Sequence, residues 1–440
     1  MLASSVAARA GSGEQIEVYV SRGVETDIRA YDGDVEVLSQ ASSAGVGVRV
    51  VVDGRQGFAS AGSLDPAVVE DTLREARDNA QFATPDEHVS LAAPDGVAAA
   101  ALDLWDDGIL GTPPERKVEL ALELERRARG ADPRIRQVSS ADYGDLAVES
   151  AVASSTGVLA SGRRTVCSLV VTALAGEGGH TGVGVSAGRS IEDLDLQGTA
   201  DDAVRRATRM IGATKARSTR CTVVFDPRVT ATLVSVVASA LSGEAVTKSR
   251  SMFAGRMGED VAAPRVVLVD DPTDPRAFSA APFDGEGLAC RRNELIADGV
   301  LRGFVYDSVA GRRAGTASTG SAVRGGYAST PVAGCRAVWL EPGDLSAEEL
   351  LAAVGDGLYV QSVTGVHSGV SAVSGDFSVG AEGLWIRGGE LAGPVREVTV
   401  ASTLQRMLHA VTHVGADVQW LPGLAAGQTL AVADMAVGGD

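Results

Sequence analysis

A chain of 440 residues, 45% hydrophobic and 22% charged, is long enough for a substantial core and for two or three domains of ordinary size. Its formal net charge of -18 repels phosphate backbones and anionic lipid, so neither nucleic acid nor a membrane surface is expected as a partner. No run of about 18 apolar residues occurs, and no helical membrane span is expected. Strands open the chain: IEVYVS, VETDIRAY, DVEVLS and GVGVRVVV alternate apolar and polar residues. Asp32-Gly33 and Asp53-Gly54 punctuate them as hairpin turns. A helix follows, with Asp65 as N-cap and Pro66 at its first position. A second starts at TPPE, where Thr112 and Glu115 have capping-box spacing, and runs to Gly130.

Further alternating strands are predicted from about Gln137 to Ala175. The glycine-rich GEGGHTGVGVSAG reads as a loop leading to a helix around Asp201–Ile211. Its Gly182, Gly184 and Gly188 are one residue off the dinucleotide-binding spacing, so a plain loop is preferred, with His180 solvated in it. TKARSTR reads as a linker, CTVVFD as a buried strand and ATLVSVVASALSGEAV as an apolar helix. From Arg265 onward short strands and Gly/Pro turns dominate, with one late helix around Thr403–Val414. The fold class is α+β: two domains, 1–215 and 216–440, of mainly antiparallel sheets with packed helices.

Candidate chemistry is sparse. Cys167, Cys221, Cys290 and Cys335 are scattered, with no CxxC pair, which points to reduced thiols. With no apolar leader at the start, a cytoplasmic location is expected. His409 and His413 are four residues apart, a spacing that places two zinc ligands on one helix face. The metalloprotease pattern also needs a glutamate beside the first histidine, and Ala410 stands there. A polar helix edge is therefore preferred, and no metal site is assigned. DDPTDP at 270–275 and FDGEG at 283–287 read as acidic turns, and GRR at 162–164 and 311–313 as solvated surface. No GxSxG nucleophile elbow is present.

The second half carries a longer signal. LSGEAVTKSRSMFAGRMGEDVA is followed by PFDGEGLACRRNELIADGVLRGFVYDSVAGRRAGTASTGSAVRG, then by GDFSVGAEGLWIRGGELAGPVREVTVASTLQRML and VGAD. In order and wording these motifs resemble the TldD/PmbA (TldE) peptidase family, and the likeness extends over essentially the whole chain. The resemblance implies two branches. The TldD branch carries zinc on an HExxxH helix, followed by LEGD and FxGxxGE elements. Phe253, Gly255, Gly258 and Glu259 match the last element, and Leu241–Glu244 fall on LEGD. VSVVAS then falls on HExxxH: Val234 and Ser239 stand at the histidines and Ser235 at the glutamate. Zinc needs imidazole, thiolate or carboxylate donors, so the resemblance implies the TldE/PmbA-type branch without the metal site. No cysteine follows Cys335, whereas the zinc branch draws a ligand from near its C-terminus. Ala337 stands where the family often has an asparagine.

The expectation is a non-catalytic subunit of a TldD/TldE-type zinc peptidase that cleaves unfolded or modified peptides. It has no cofactor or catalytic residue of its own, and a TldD-type heterodimer partner holds the zinc. Motif position nominates Glu286 and Arg324 as substrate or cleft contacts, against a purely structural role. Two alternatives stay open: a subunit dedicated to peptide or amide cleavage in one biosynthetic route, and a metal-free homodimeric binding or scaffold protein.

Overall fold

Asp32-Gly33 has φ of 54° and 84°, and Asp53-Gly54 has 49° and 71°. Positive φ at both residues makes the tight turn whose twist matches that of the flanking strands. The computed structural model describes residues 2–439. After a short helix α1 (Leu2–Ala7), these turns join β1 (Glu14–Tyr31), β2 (Asp34–Val52) and β3 (Arg55–Ala61) into a meander. Helices α2 (Pro66–Phe82), α3 (Gly108–Gly111) and α4 (Pro114–Gly130) follow, then β4 (Ile135–Ser154), β5 (Leu159–Ala175), β6 (His180–Gly188) and α5 (Leu196–Thr208). The sheet order is β3-β2-β1-β4-β5-β6, antiparallel throughout.

One face of this sheet is apolar and carries the helices. Val69, Leu73 and Ala76 of α2 pack on Val48 and Val50. Leu120 and Leu124 of α4, with Ala200 and Ala203 of α5, pack on Tyr143, Leu169 and Val171. Strand alternation sends the intervening residues, among them Glu17, Tyr19, Arg49 and Arg164, to the opposite face.

Three expectations change here. GVGVSAG is strand β6, not a loop: a Cβ on Gly182 would lie 2.1 Å from the Ala203 carbonyl, and one on Gly184 1.9 Å from that of Thr199. The glycines serve close packing of α5 on the sheet, and His180 opens the strand opposite Ala175. Helix α5 also starts earlier than expected, capped by Asp195. Thr112 does not cap α4. The N-cap is Pro113, and the Thr112 hydroxyl donates to the Gly108 carbonyl.

The rest of the chain builds separate sheets. Its elements are β7 (Thr219–Phe225), α6 (Pro227–Ala240), α7 (Gly243–Thr247), β8 (Leu268–Asp270), β9 (Asn293–Ala297) and β10 (Val300–Leu301). Next come α8 (Ser308–Ala314), β11 (Ala322–Val323), β12 (Val332–Ala333), β13 (Val338–Leu340), α9 (Ala347–Val354), β14 (Gly357–Thr364) and α10 (Val366–Gly369). The last are β15 (Asp376–Arg387), β16 (Glu390–Thr403), α11 (Leu404–His409), β17 (Val411–Val414) and β18 (Leu430–Gly438). The main sheet runs β16-β15-β14-β7-β18-β17, and β16 also pairs with β18, which closes five strands into a ring. Only β14 and β7 are parallel within it. Smaller sheets, β10-β9-β8-β13 and β11-β12, flank it.

The turn-rich region from Arg265 thus holds helices that strand alternation and turn residues conceal. Helix α9 carries a complete capping box, Ser346 with Glu349, that marks its start in the sequence. The predicted helix over Thr403–Val414 stops at His409. Its β-branched tail forms β17 instead, where Val411, His413 and Val414 pair with β18.

Ion pairs dock the two parts. Arg206 and Arg228 reach Asp226 and Asp202 at 2.8 and 2.6 Å, and Arg291 and Arg313 reach Asp95 and Asp86 at 2.6 and 2.5 Å. Arg312, of the second GRR, donates to the His88 and Ser90 carbonyls. That GRR is an inter-unit tie, not free surface.

Candidate functional site: a groove between the two sheet systems

Helix α6 begins at Asp226, whose carboxylate accepts the Arg228 amide, and Pro227 occupies its first position. Residues 234 and 239 are five apart, so they project about 140° from each other. Val234 is buried against an apolar cluster with Leu404, Met407 and Val411. Ser239 sits at the last turn, facing a cleft. The Ser235 hydroxyl donates to the Ala231 carbonyl at 2.9 Å and Ser239 to Val236 at 2.7 Å. Both hydroxyls are turned back on their own helix. This set does not fit zinc: valine has no lone pair, and neither serine supplies imidazole, thiolate or carboxylate. Among the described residues no group of three or more His, Cys, Asp or Glu side chains could hold a metal ion.

His409 and His413 do not share a helix face. His409 ends α11, Ala410 caps it, and His413 lies on β17 opposite Ala431, its Nδ1 3.2 Å from the Thr412 hydroxyl. Burial and nearby Arg265 lower the His413 pKa.

Beyond α6 three cavities adjoin. One of about 420 Å³ lies among Ser239, Ser242, Glu244, Lys248 and Cys335. The next, about 510 Å³, shares Cys335 and Leu424 with it and is walled by Glu25, Asp27 and Ser168 of the first sheet. The third, about 140 Å³, shares Arg164, Arg324 and Arg336 with the second. Together they form a groove between the helix-free face of β1, β4 and β5 and the loops of the second part. Gly144, Ser150, Ala160 and Ser168 keep the sheet wall shallow.

A buried ion cluster adjoins the groove through Arg324. Arg49 Nη2 is 2.5 Å from Glu17 Oε2 and 3.3 Å from Glu286 Oε1. Glu286 also accepts the Ser308 amide at 2.9 Å, at the start of α8. Its side chain is 0% exposed, so Glu286 is sealed in an inter-unit ion cluster and is not a cleft contact. Arg324 pairs with Glu17, donates to the Gly285 and Ser329 carbonyls and lies over the Tyr19 ring at 4.8 Å. It forms part of the groove wall, but its guanidinium is already committed.

Burial, then the charge of Glu286, pushes Asp284 up to about 7 and Asp307 up to about 6. Asp284 is held by the amides of Glu286, Leu288 and Ala322. FDGEG is therefore a buried hub, which its turn-like composition does not reveal. DDPTDP is likewise not wholly exposed. Asp270 is 0% exposed, accepts the Arg336 and Ala337 amides, and is raised to about 6 by burial. Strand alternation separates the first GRR. Arg163 lies over the Trp105 ring at 5.0 Å and borders only the smallest cavity, while Arg164 lines that cavity and the one beside it, a role its surface-like sequence conceals.

Residues 218–439 match the PmbA/TldA metallopeptidase C-terminal domain, 108–211 its central domain and 16–80 its domain 1. The chain belongs to the PmbA/TldA metallopeptidase family. It is 28% identical over 425 residues to Metalloprotease PmbA of Escherichia coli O157:H7, covering 96% of this chain and 91% of that protein. It is 27% identical over 395 residues to a Metalloprotease TldD homolog of Haemophilus influenzae, covering 87% and 81%. The crystal structure of TldE from Thermococcus kodakarensis superposes with a TM-score of 0.89 at 24% identity, covering 97% of each chain, which shows the shared fold. In this PmbA/TldA-family chain the groove lies between the regions matched by domain 1 and the central domain on one side and the C-terminal domain on the other, and no helix among the described residues is long and apolar enough to cross a membrane.

Proposed function

We propose that this chain is the metal-free, non-catalytic TldE/PmbA-type subunit of a two-subunit peptidase. Zinc resides in a TldD-type partner, and an unfolded or modified peptide lies in the groove. The observation that carries this reading is α6. A buried valine and two serines bonded to their own helix occupy the positions that zinc donors would need. The metalloprotease names of the E. coli and H. influenzae relatives support peptide hydrolysis as the activity of the assembly.

This chain's part is to bind and orient. A shallow wall of glycine, serine and alanine suits an extended backbone, which can be recognised with little dependence on sequence. A partner surface is available at the β1–β2 hairpin. There β2 leaves residues 34–45 without a strand on their outer edge, among the described residues, and exposes Val35, Val37 and Leu38. Four free thiols suit a reducing, cytoplasmic setting.

The test is hydrolysis of an unstructured peptide by the purified chain, alone and mixed with a TldD-type chain from the same genome, with zinc present in both. Cleavage is expected only in the mixture. Chelator-sensitive cleavage by this chain alone would overturn the assignment.

A further inference from the structure

Most arginines of this acidic protein meet a carboxylate, including the buried Arg49, Arg206 and Arg324. Arg164, Arg189 and Arg336 do not. Among the described residues none of the three has a carboxylate within ion-pair distance. Arg189 donates to the Thr165, Pro275 and Ala277 carbonyls. Among the described residues the Arg336 guanidinium hydrogen-bonds only the Ala322 carbonyl, at 3.5 Å. Arg164 has no side-chain hydrogen bond to any described residue.

Arg164 and Arg336 approach from opposite walls, one from β5 and the other from the segment after β12, and both line the two cavities that meet there. Both are half-buried. Burial lowers the Arg164 pKa first, and Arg336 then Arg189 add to the effect, with Tyr19 acting in the opposite sense. Two guanidinium groups facing one cavity repel each other, and their partial desolvation adds to the cost. The buried Asp270 feels the charge of Arg336 but forms no ion pair with its guanidinium, so the repulsion between the two arginines is left for a ligand to relieve. A carboxylate between them would remove the repulsion and accept paired N–H donors from planar forks.

We propose that Arg164 and Arg336 form a carboxylate-binding subsite in the groove, which takes a carboxylate of the bound peptide. The assignment rests on the groove being the peptide cleft. It deepens that reading by selecting acidic peptides or peptide C-termini. Glu25 and Asp27 line the groove farther along, so the cleft is polarised: one end suits a cation, the arginine end an anion.

The test uses the full chain and three N-acetylated probes at low ionic strength. These are penta-alanine with a free C-terminal carboxylate, its C-terminal amide, and the amide with a central aspartate. Calorimetry is expected to show at least one acid probe binding about tenfold or more tighter than the neutral amide. The preferred acid identifies the source, terminus or side chain. Arg164→Ala and Arg336→Ala should each bring acid binding down to the neutral level, with Arg164→Lys retaining part of it. A structural role predicts instead a large fall in melting temperature for Arg164→Ala. The subsite predicts no fall, because like-charge repulsion across the cavity is relieved. Equal binding of acid and neutral probes, no binding of any probe, unchanged binding by Arg164→Ala, or its destabilisation would each overturn the assignment. No zinc-bearing partner is needed. Arginine-dependent binding without hydrolysis in the mixture would therefore sink the subunit reading alone, and the reverse result the subsite alone.

Discussion

At residue scale the glycines of β6 carry the sharpest steric demand. The space a Cβ on Gly182 or Gly184 would enter is filled by backbone of α5, which cannot rotate away as a side chain can. Gly182→Ala is therefore expected to cost about 1–3 kcal/mol by forcing the helix off the sheet. Gly162, on β5, has nothing within 4 Å of the position a methyl group would take, so Gly162→Ala should leave stability unchanged. Urea denaturation of the two variants checks the contrast. Equal stability would mean that α5 shifts freely. Val234 obeys the same logic in reverse: its environment fits a branched apolar side chain and nothing polar.

At the scale of elements, the Glu17–Arg49–Glu286 cluster fastens β1 and β2 to the loop before β9 and to the start of α8. Removing one member of a buried ion cluster leaves a carboxylate uncompensated, so Arg49→Met is expected to cost about 3–5 kcal/mol. Adding Glu286→Gln should recover part of this, and a double-mutant cycle in urea reads the coupling. Additive effects would show that Arg49 acts on Glu17 alone. How much of this was legible in the sequence follows from range. The Asp-Gly turns, the Asp65 cap and the alternation of β4 and β5 are local and readable. The motifs around VSVVAS marked the family. The ion cluster was not readable, because Glu17 and Glu286 lie 269 positions apart and composition makes FDGEG look like an exposed turn. Arg164 and Arg336 were hidden for the same reason: only the tertiary fold shows that no carboxylate among the described residues forms an ion pair with them. The His409–His413 pair failed on a local conflict, helical spacing against a β-branched tail that β18 captures.

At the scale of the whole molecule, the buried acids set how stability varies with pH. Asp284 is raised to about 7, and Asp270 and Asp307 to about 6, from an ordinary value of 3.8. For each, the folded state holds its proton more tightly than the unfolded chain does. Their contribution is thus fully present below about 3.8 and is lost as pH rises through 6 to 7. Carboxylates held low by arginine act the other way. Asp132, lowered to about 2 by its hydrogen bonds with Arg134, contributes above its unfolded value and loses this as pH falls toward 2. His413, lowered by burial, also favours the folded state as pH rises toward 6.5, but it is one partly exposed group against three buried acids. The melting temperature is therefore expected to fall between pH 5 and pH 8. Asp307→Asn isolates one contribution. Asparagine keeps the cap that Asp307 gives to the Ala310 amide, and it cannot ionise. The variant should match the parent only below about pH 3.8, exceed it at pH 5 and by more at pH 8, and flatten the curve between. A parallel curve displaced by a constant amount would mean that Asp307 is already ionised in the folded protein throughout this range.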